Sequence, residues 1–145
     1  MERIATLLRH MQLYAHIAHN LTSGNTFFQD HEFLGELYPA YEAAYDSVVE
    51  RMIGCELSPD LIKINKNAAN MLERVSFKEI NSALSILLDC ERTLCNLIEK
   101  EVVPNPMSHP HGGEKALSQG SVQMLGDIAN ASEVRKYKIQ QRLKS

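Results

Sequence analysis

The sequence predicts an all-α fold, a bundle of four long helices with a short extra helix in the connection between the second and third. Two observations carry this. Apolar residues recur at three- and four-residue spacing along most of the chain, and no alternating apolar and polar run bounded by turn residues reads as a strand. Caps and breakers then divide the pattern into five helical segments. With 145 residues, 44% of them hydrophobic, residues 1–145 are expected to form a single domain around one core.

The first helix is expected from about Ile4 to Leu21, with Ile4, Leu7, Leu8, Met11, Ala15 and Ala18 on one face, ending before the Ser23-Gly24-Asn25 turn. A second begins after Asn25 or Thr26 and runs to Ile53, where Gly54 closes it; Pro39 inside it is expected to kink or break it. Ser58-Pro59-Asp60 offers an N-cap serine, a proline at the first helical position and an acid in the first turn. These open a short helix to about Leu72, expected to be a connector outside the core. Ser76 and Glu79 have capping-box spacing, and the helix they open carries Ile80, Leu84, Leu87, Leu88, Leu94 and Leu97 to about Val102. Pro104, Pro106, Pro110 and Gly112-Gly113 exclude helix over the next stretch, and a last helix is expected from about Lys115 to Leu143. The segment joining the second and third long helices can cross the bundle, so the topology need not be simple up-down-up-down.

Composition narrows the function. No run of about 18 apolar residues is present, and Glu2, Arg3 and Arg9 charge the first segment, so neither a membrane span nor a secretory signal is expected and a cytoplasmic location is. Cys55, Cys90 and Cys95 are odd in number and lack Cys-x-x-Cys spacing; reduced, buried thiols are the expectation. A net charge of −3 argues against wrapping nucleic acid by bulk electrostatics, though local patches remain open.

Four residues carry candidate chemistry: His19, His31, Asp46 and Glu50. A helix rises about 1.5 Å per residue, which separates His31 from Asp46 by roughly 22 Å along one straight helix. They cannot share an ion within one chain. Asp46 and Glu50 lie one turn apart on a common face, and His19 and His31 flank a short connection that lets them meet. If the four act together, they do so across a two-fold interface. Imidazoles with carboxylates suit iron, manganese or zinc, and oxygen-rich mixed sets with open positions favour iron. The same spacing also describes an ordinary solvated helix face, and the Glu-x-x-His pairs of intrachain di-iron bundles are absent.

The segment from His19 through Gly24, Phe27-Phe28 and His31-Glu32, followed by Asp46-x-x-x-Glu50-Arg51, resembles the Dps family of mini-ferritins (DNA protection during starvation). The resemblance covers the first two helices closely and the later ones in layout. It implies a ferritin-like bundle assembled as a hollow dodecamer. It implies also that His19 and His31 of one subunit and Asp46 and Glu50 of its two-fold mate are ferroxidase ligands. The family binds Fe(II), oxidises it preferentially with hydrogen peroxide and stores the ferric mineral inside, which protects against oxidative damage.

The chain departs from the family at several positions. Asn20 stands where a tryptophan usually follows the first histidine, and Gly35 where an acid is often found, so a second iron would be held loosely with Glu36 or water filling in. Tyr38, Tyr41 and Tyr45 are either nearby oxidisable groups or packing residues. His16 is either an auxiliary ligand or a histidine bonded to backbone or carboxylate. His109 and His111, with Glu114, either gather metal ions or do nothing specific. Ser118 to Gln123 is neutral where the family often carries acids at three-fold pores. The first helix is expected to start almost at Met1, so the family's lysine-rich N-terminal tail is not expected. The basic run Arg135, Lys136, Lys138, Arg142 and Lys144 either binds phosphates of DNA or offsets the helix dipole. The alternatives are a DNA-associated or architectural shell with weak ferroxidase activity, and an unassembled helical bundle.

Overall fold

The computed structural model describes residues 1–103 and 117–144, and among them the only regular structure is helical. The α-helices are α1 (Glu2–Leu21), α2 (Phe27–Gly54), α3 (Leu61–Met71), α4 (Ile80–Val102) and α5 (Gln119–Leu143), with a 3₁₀ turn at Leu72–Arg74. The all-α expectation therefore holds, with a helical bundle as the architecture.

Cross-helix contacts give the directions. The Met1 ammonium meets Glu101 at 2.8 Å while Tyr14 reaches the carbonyl of Ser76, so α1 and α4 run antiparallel. Arg142 pairs with Asp30 and Arg51 packs on Gly120, so α2 and α5 are antiparallel as well. Asn81 receives a bond from Arg142, and Ser132 reaches Glu91, which makes α4 and α5 antiparallel. It follows that α2 and α4 run parallel. The connection holding α3 must cross from one end of the bundle to the other.

The apolar faces predicted from periodicity form the core. Ile4, Leu7, Leu8, Met11, Ala15 and Ala18 of α1 pack with Leu84, Leu87, Leu88 and Leu94 of α4 and with Leu34, Leu37, Tyr41, Val48 and Met52 of α2. Burial of such side chains contributes roughly 1.5–3 kcal/mol each relative to exposure.

Several local expectations are corrected. Pro39 neither breaks nor ends α2, which is continuous from Phe27 to Gly54. It is exposed, and the helical bond it removes is the one to the Gly35 carbonyl. Asp60, not Ser58, caps α3; its carboxylate accepts from the Lys63 amide at 2.9 Å. Nor is α3 outside the core, since Ile64 and Ala68 are buried and the Ala68 carbonyl meets His10 of α1. The Ser76 capping box does not form. Glu79 is extended, at φ −152° and ψ 160°, and is itself the cap residue, so its side chain meets Ser82 of the first turn instead. The last helix starts at Gln119, with Ser118 accepting from the Ser121 amide at 3.1 Å. Lys115 lies outside the described residues. Cys90 and Cys95 are half-buried, but Cys55, just past the end of α2, is exposed, which overturns the expectation of three buried thiols. Among the described residues no helix is long and apolar enough to cross a membrane.

In the bundle interior the carboxylate of Glu91 of α4 is fully buried. It accepts hydrogen bonds from Tyr41 of α2 at 2.7 Å, from Arg135 Nε of α5 at 2.6 Å, and from Ser132 of α5. Burial and the adjacent Glu91 charge together raise the Tyr41 hydroxyl well above its usual pKa. Burial foremost, then the charges of Glu91 and Asp89, pushes the Cys90 thiol up to about 12. At one end of the bundle, Asp30 takes a two-pronged pair from Arg142, at 2.8 and 2.9 Å. Burial alone would raise the Asp30 pKa, but bonds from Arg142 and Thr26 prevail and lower it.

Two predictions follow from these buried charges. Arg135→Met leaves Glu91 charged and under-bonded, and should cost about 3–5 kcal/mol in urea unfolding, whereas Lys138→Met on the exposed face should cost little. Burial holds His10 below its ordinary pKa, so the unfolded chain binds the proton more readily than the folded one. Stability should be full above pH 6.5 and decline as pH falls below it. His10→Phe should flatten that part of the profile of urea midpoints against pH.

Candidate metal centre

The α1–α2 turn is what brings His19 to His31. α1 ends because Thr22 is extended, at φ −60° and ψ 141°, and Gly24 then takes φ +86°, a conformation that favours glycine. The Gly24 carbonyl accepts from the Phe27 amide at 3.2 Å, and α2 begins at once. The two imidazoles end up stacked, with ring centroids 3.7 Å apart and planes 24° from parallel.

Their hydrogen bonds are reciprocal. His19 Nδ1 lies 2.8 Å from the His31 carbonyl, and His31 Nδ1 lies 3.1 Å from the His19 carbonyl. A carbonyl oxygen can only accept, so in the neutral rings each Nδ1 carries the proton and each Nε2 keeps its lone pair. Thr22 secures the arrangement: its hydroxyl donates to the His19 carbonyl at 2.8 Å, and its oxygen sits 3.3 Å from His31 Nδ1. Both rings are thus fixed in the tautomer that ligates a metal through Nε2.

Gly35 of α2 lies against the His19 ring. A Cβ there would stand 3.3 Å from His19 Cε1 and 3.5 Å from Nδ1, so a side chain at this position would press on the imidazole. On the far side of His19, Tyr38 presents an edge contact with centroids 5.3 Å apart. His16 stacks face to face on Tyr38, at 4.1 Å and 13°, instead of bonding a carboxylate, and its ring is 6.3 Å from that of His19. Phe27 covers the other side of His31 at 4.9 Å. The result is a row of rings, His16, Tyr38, His19, His31 and Phe27, across the α1–α2 hairpin.

Asp46 and Glu50 are exposed on α2, one turn apart and roughly 22 and 28 Å along the helix from His31. Glu50 borders an open pocket with Ser47, Arg51, Gly54, Cys55 and Met124. The structure therefore brings His19 and His31 together and keeps both carboxylates away from them within one chain. Among the described residues no three or more His, Cys, Asp or Glu side chains converge on a common point. Glu36 is exposed. His109, His111 and Glu114 lie outside the described residues.

The remaining candidates sort by their contacts. Tyr41 is taken up by Glu91, and Tyr45 is buried beneath the Arg9 guanidinium, 3.8 Å from its ring centroid, so of the three tyrosines only Tyr38 touches the histidines. Of the basic run on α5, Arg135 pairs with buried Glu91 and Arg142 with Asp30. Both guanidiniums are thus committed within the bundle. The sequence reading missed these acid–arginine pairs and the role of Thr22, because the partners lie far apart in the chain or act through backbone carbonyls.

Imidazole ¹⁵N spectra above the titration range should show the Nδ1–H tautomer for both His19 and His31. Gly35→Ala should disturb His19 more than His31, since its new methyl meets only the first ring. Equal effects on both rings would contradict the geometry.

No family profile, curated protein or solved structure matches this chain.

Proposed function

We propose that this chain is a Dps-like mini-ferritin with a ferritin-like bundle. It would bind Fe(II) at sites shared between subunits, oxidise it with hydrogen peroxide and retain the ferric product inside a hollow, cytoplasmic homo-oligomeric shell, a dodecamer in the family it resembles. The observation that carries this reading is the His19–His31 pair, two stacked imidazoles whose Nδ1 atoms are held by each other's backbone carbonyls and whose Nε2 atoms are left to ligate.

Two further observations support it. The helix directions require one long crossover, the connection characteristic of ferritin-like bundles. The buried carboxylate of the interior, Glu91, is taken up by Tyr41, Ser132 and Arg135 instead of being left to ligate, which favours metal chemistry at the histidine pair.

In this reading Fe(II) is the substrate. Asp46 and Glu50 supply anionic oxygen ligands and favour the ferric product, while His19 and His31 supply neutral nitrogen. Two Fe(II) ions give up one electron each, peroxide takes both with two protons, and two water molecules leave. No hydroxyl radical is released when both electrons arrive together. The DNA-associated alternative is less favoured, because Arg135 and Arg142 spend their charge on Glu91 and Asp30.

The test is anaerobic Fe(II) loading followed by peroxide, read by ferric absorbance. His31→Ala and Asp46→Ala should each abolish the rapid phase. Subunits of the two variants, unfolded, mixed equally and reassembled, should recover about a quarter of the wild-type rate, since random pairing restores one intact site in four. Failure of the mixture to exceed either variant alone would exclude a site shared between subunits.

A further inference from the structure

His10 of α1 is 2% exposed, and its hydrogen-bond partner among the described residues is the Ala68 carbonyl of α3, 3.3 Å from Nδ1. The chain tightens into its 3₁₀ turn at this point: the Leu72 amide bonds the Ala69 and Asn70 carbonyls, which leaves the Ala68 carbonyl to His10. A carbonyl only accepts, so in the neutral ring Nδ1 carries the proton and Nε2 a lone pair. Charging the ring puts a second proton on Nε2, and among the described residues nothing is bonded there to accept it. A buried cation with one of its two donors unmet is unfavourable.

No neighbouring charge relieves this. On α1, Arg9 lies over the Tyr45 ring and reaches Gln12 and Glu42, while Tyr14 stacks with His10 at 6.2 Å and turns its hydroxyl to the Ser76 carbonyl. On α3, Lys63 and Lys66 are exposed. Cys90 of α4, close enough to act on Tyr14, is kept protonated, its thiol pushed up to about 12. Burial lowers the His10 pKa, and the Ala68 carbonyl offsets this only in part.

Of the helices around His10, α3 has the least to lose by moving. Its buried residues are Ile64 and Ala68, and Asn65 ties it to the Tyr45 hydroxyl at 2.9 Å. By contrast α4 buries Ala83, Leu84, Leu87, Leu88, Leu94 and Ile98, so opening there would uncover far more apolar surface.

We infer that α3 is a proton-operated latch, in which protonation of His10 releases α3 from α1 while the four long helices stay packed. Release brings water to Nε2 and returns the ring to its ordinary pKa of 6.5, above its value when latched. The open form therefore binds the proton more readily, and each pH unit below 6.5 favours it by up to about tenfold. Opening also takes Asn65 away from Tyr45 and uncovers the His10 side of α1. The latch does not depend on what chemistry the His19–His31 pair performs.

The experiment is hydrogen–deuterium exchange of the full chain at about pH 7.5 and about pH 5.5, corrected for the intrinsic pH dependence of amide exchange, beside an NMR titration of the His10 ring. In wild type the amides from Asn65 to Met71 should lose protection several-fold at the lower pH, with the midpoint of the His10 titration, while α4 amides keep theirs. His10→Gln can still donate to the Ala68 carbonyl but takes up no proton, and should hold α3 equally protected at both pH values. His10→Phe should leave α3 less protected, to the same extent at both. Wild-type α3 protection that is unchanged with pH, or that is lost together with that of α4, would overturn the latch without recourse to either variant. So would a wild-type pH response in His10→Gln.

Discussion

A carboxylate cut off from water must find donors for its oxygens within the protein, and Glu91 finds them on two other helices. Tyr41 reaches it from α2, Ser132 and Arg135 from α5. No smooth apolar face imposes such terms, because Leu and Ile pack in several rotations about a helix axis with similar energy, whereas this network closes in one. Rotating α2 by one residue would withdraw Tyr41 and leave a charge underbonded. With Tyr41 facing inward, Tyr38 and Gly35 of the same helix fall towards α1, where they bound the His19 ring. The geometry of the histidine pair thus depends on a polar contact in the middle of the bundle.

The hairpin adds the second constraint. Gly24 permits the tight reversal, Thr22 ties the His19 carbonyl to the His31 imidazole, and α2 restarts within a few residues. Each histidine is held by the backbone of the other's helix, so neither ring can turn without breaking its bond to the partner residue's carbonyl. Gly35 serves twice: it makes room for His19, and its carbonyl is the one that Pro39 leaves without a helical donor.

The fold class was legible in the sequence because apolar spacing reports directly on helix faces, and the α1 and α4 stripes read that way are buried. A break was legible at Gly24, whereas Gly54, expected to close α2, is its last residue, with Cys55 as the cap and the left-handed backbone at Glu56. Capping was less so. Ser58 and Asp60 are both competent caps, and only the backbone path after Pro59 decides between them; Glu79 has the right spacing from Ser76, but its own extended backbone makes it the cap. The meeting of His19 and His31 was readable from the short connection between them. Their mutual carbonyl bonds were not, since backbone acceptors carry no residue identity. The Glu91–Arg135 and Asp30–Arg142 pairs lay beyond reach for a different reason: an arginine in a basic C-terminal run looks the same in sequence whether it faces solvent or an acid on another helix.

α2 bears on how a shared site would be built. Its 28 residues span about 42 Å without a break. His31 sits near its beginning and Asp46 and Glu50 near its end, so in a shared site the helix would act as a spacer between two half-sites. A two-fold axis makes residue i of one copy face residue j of the other, and j face i. For two α2 helices packed antiparallel, setting His31 against Asp46 and Glu50 requires the axis to cross near Pro39, the midpoint between them. Both half-sites are then completed at once, one on each side of the axis. A break at Pro39 would free the acidic end from its fixed distance to the histidines and spoil both. The continuity of α2 through its proline is accordingly the feature on which a shared site would rest, more than any one ligand.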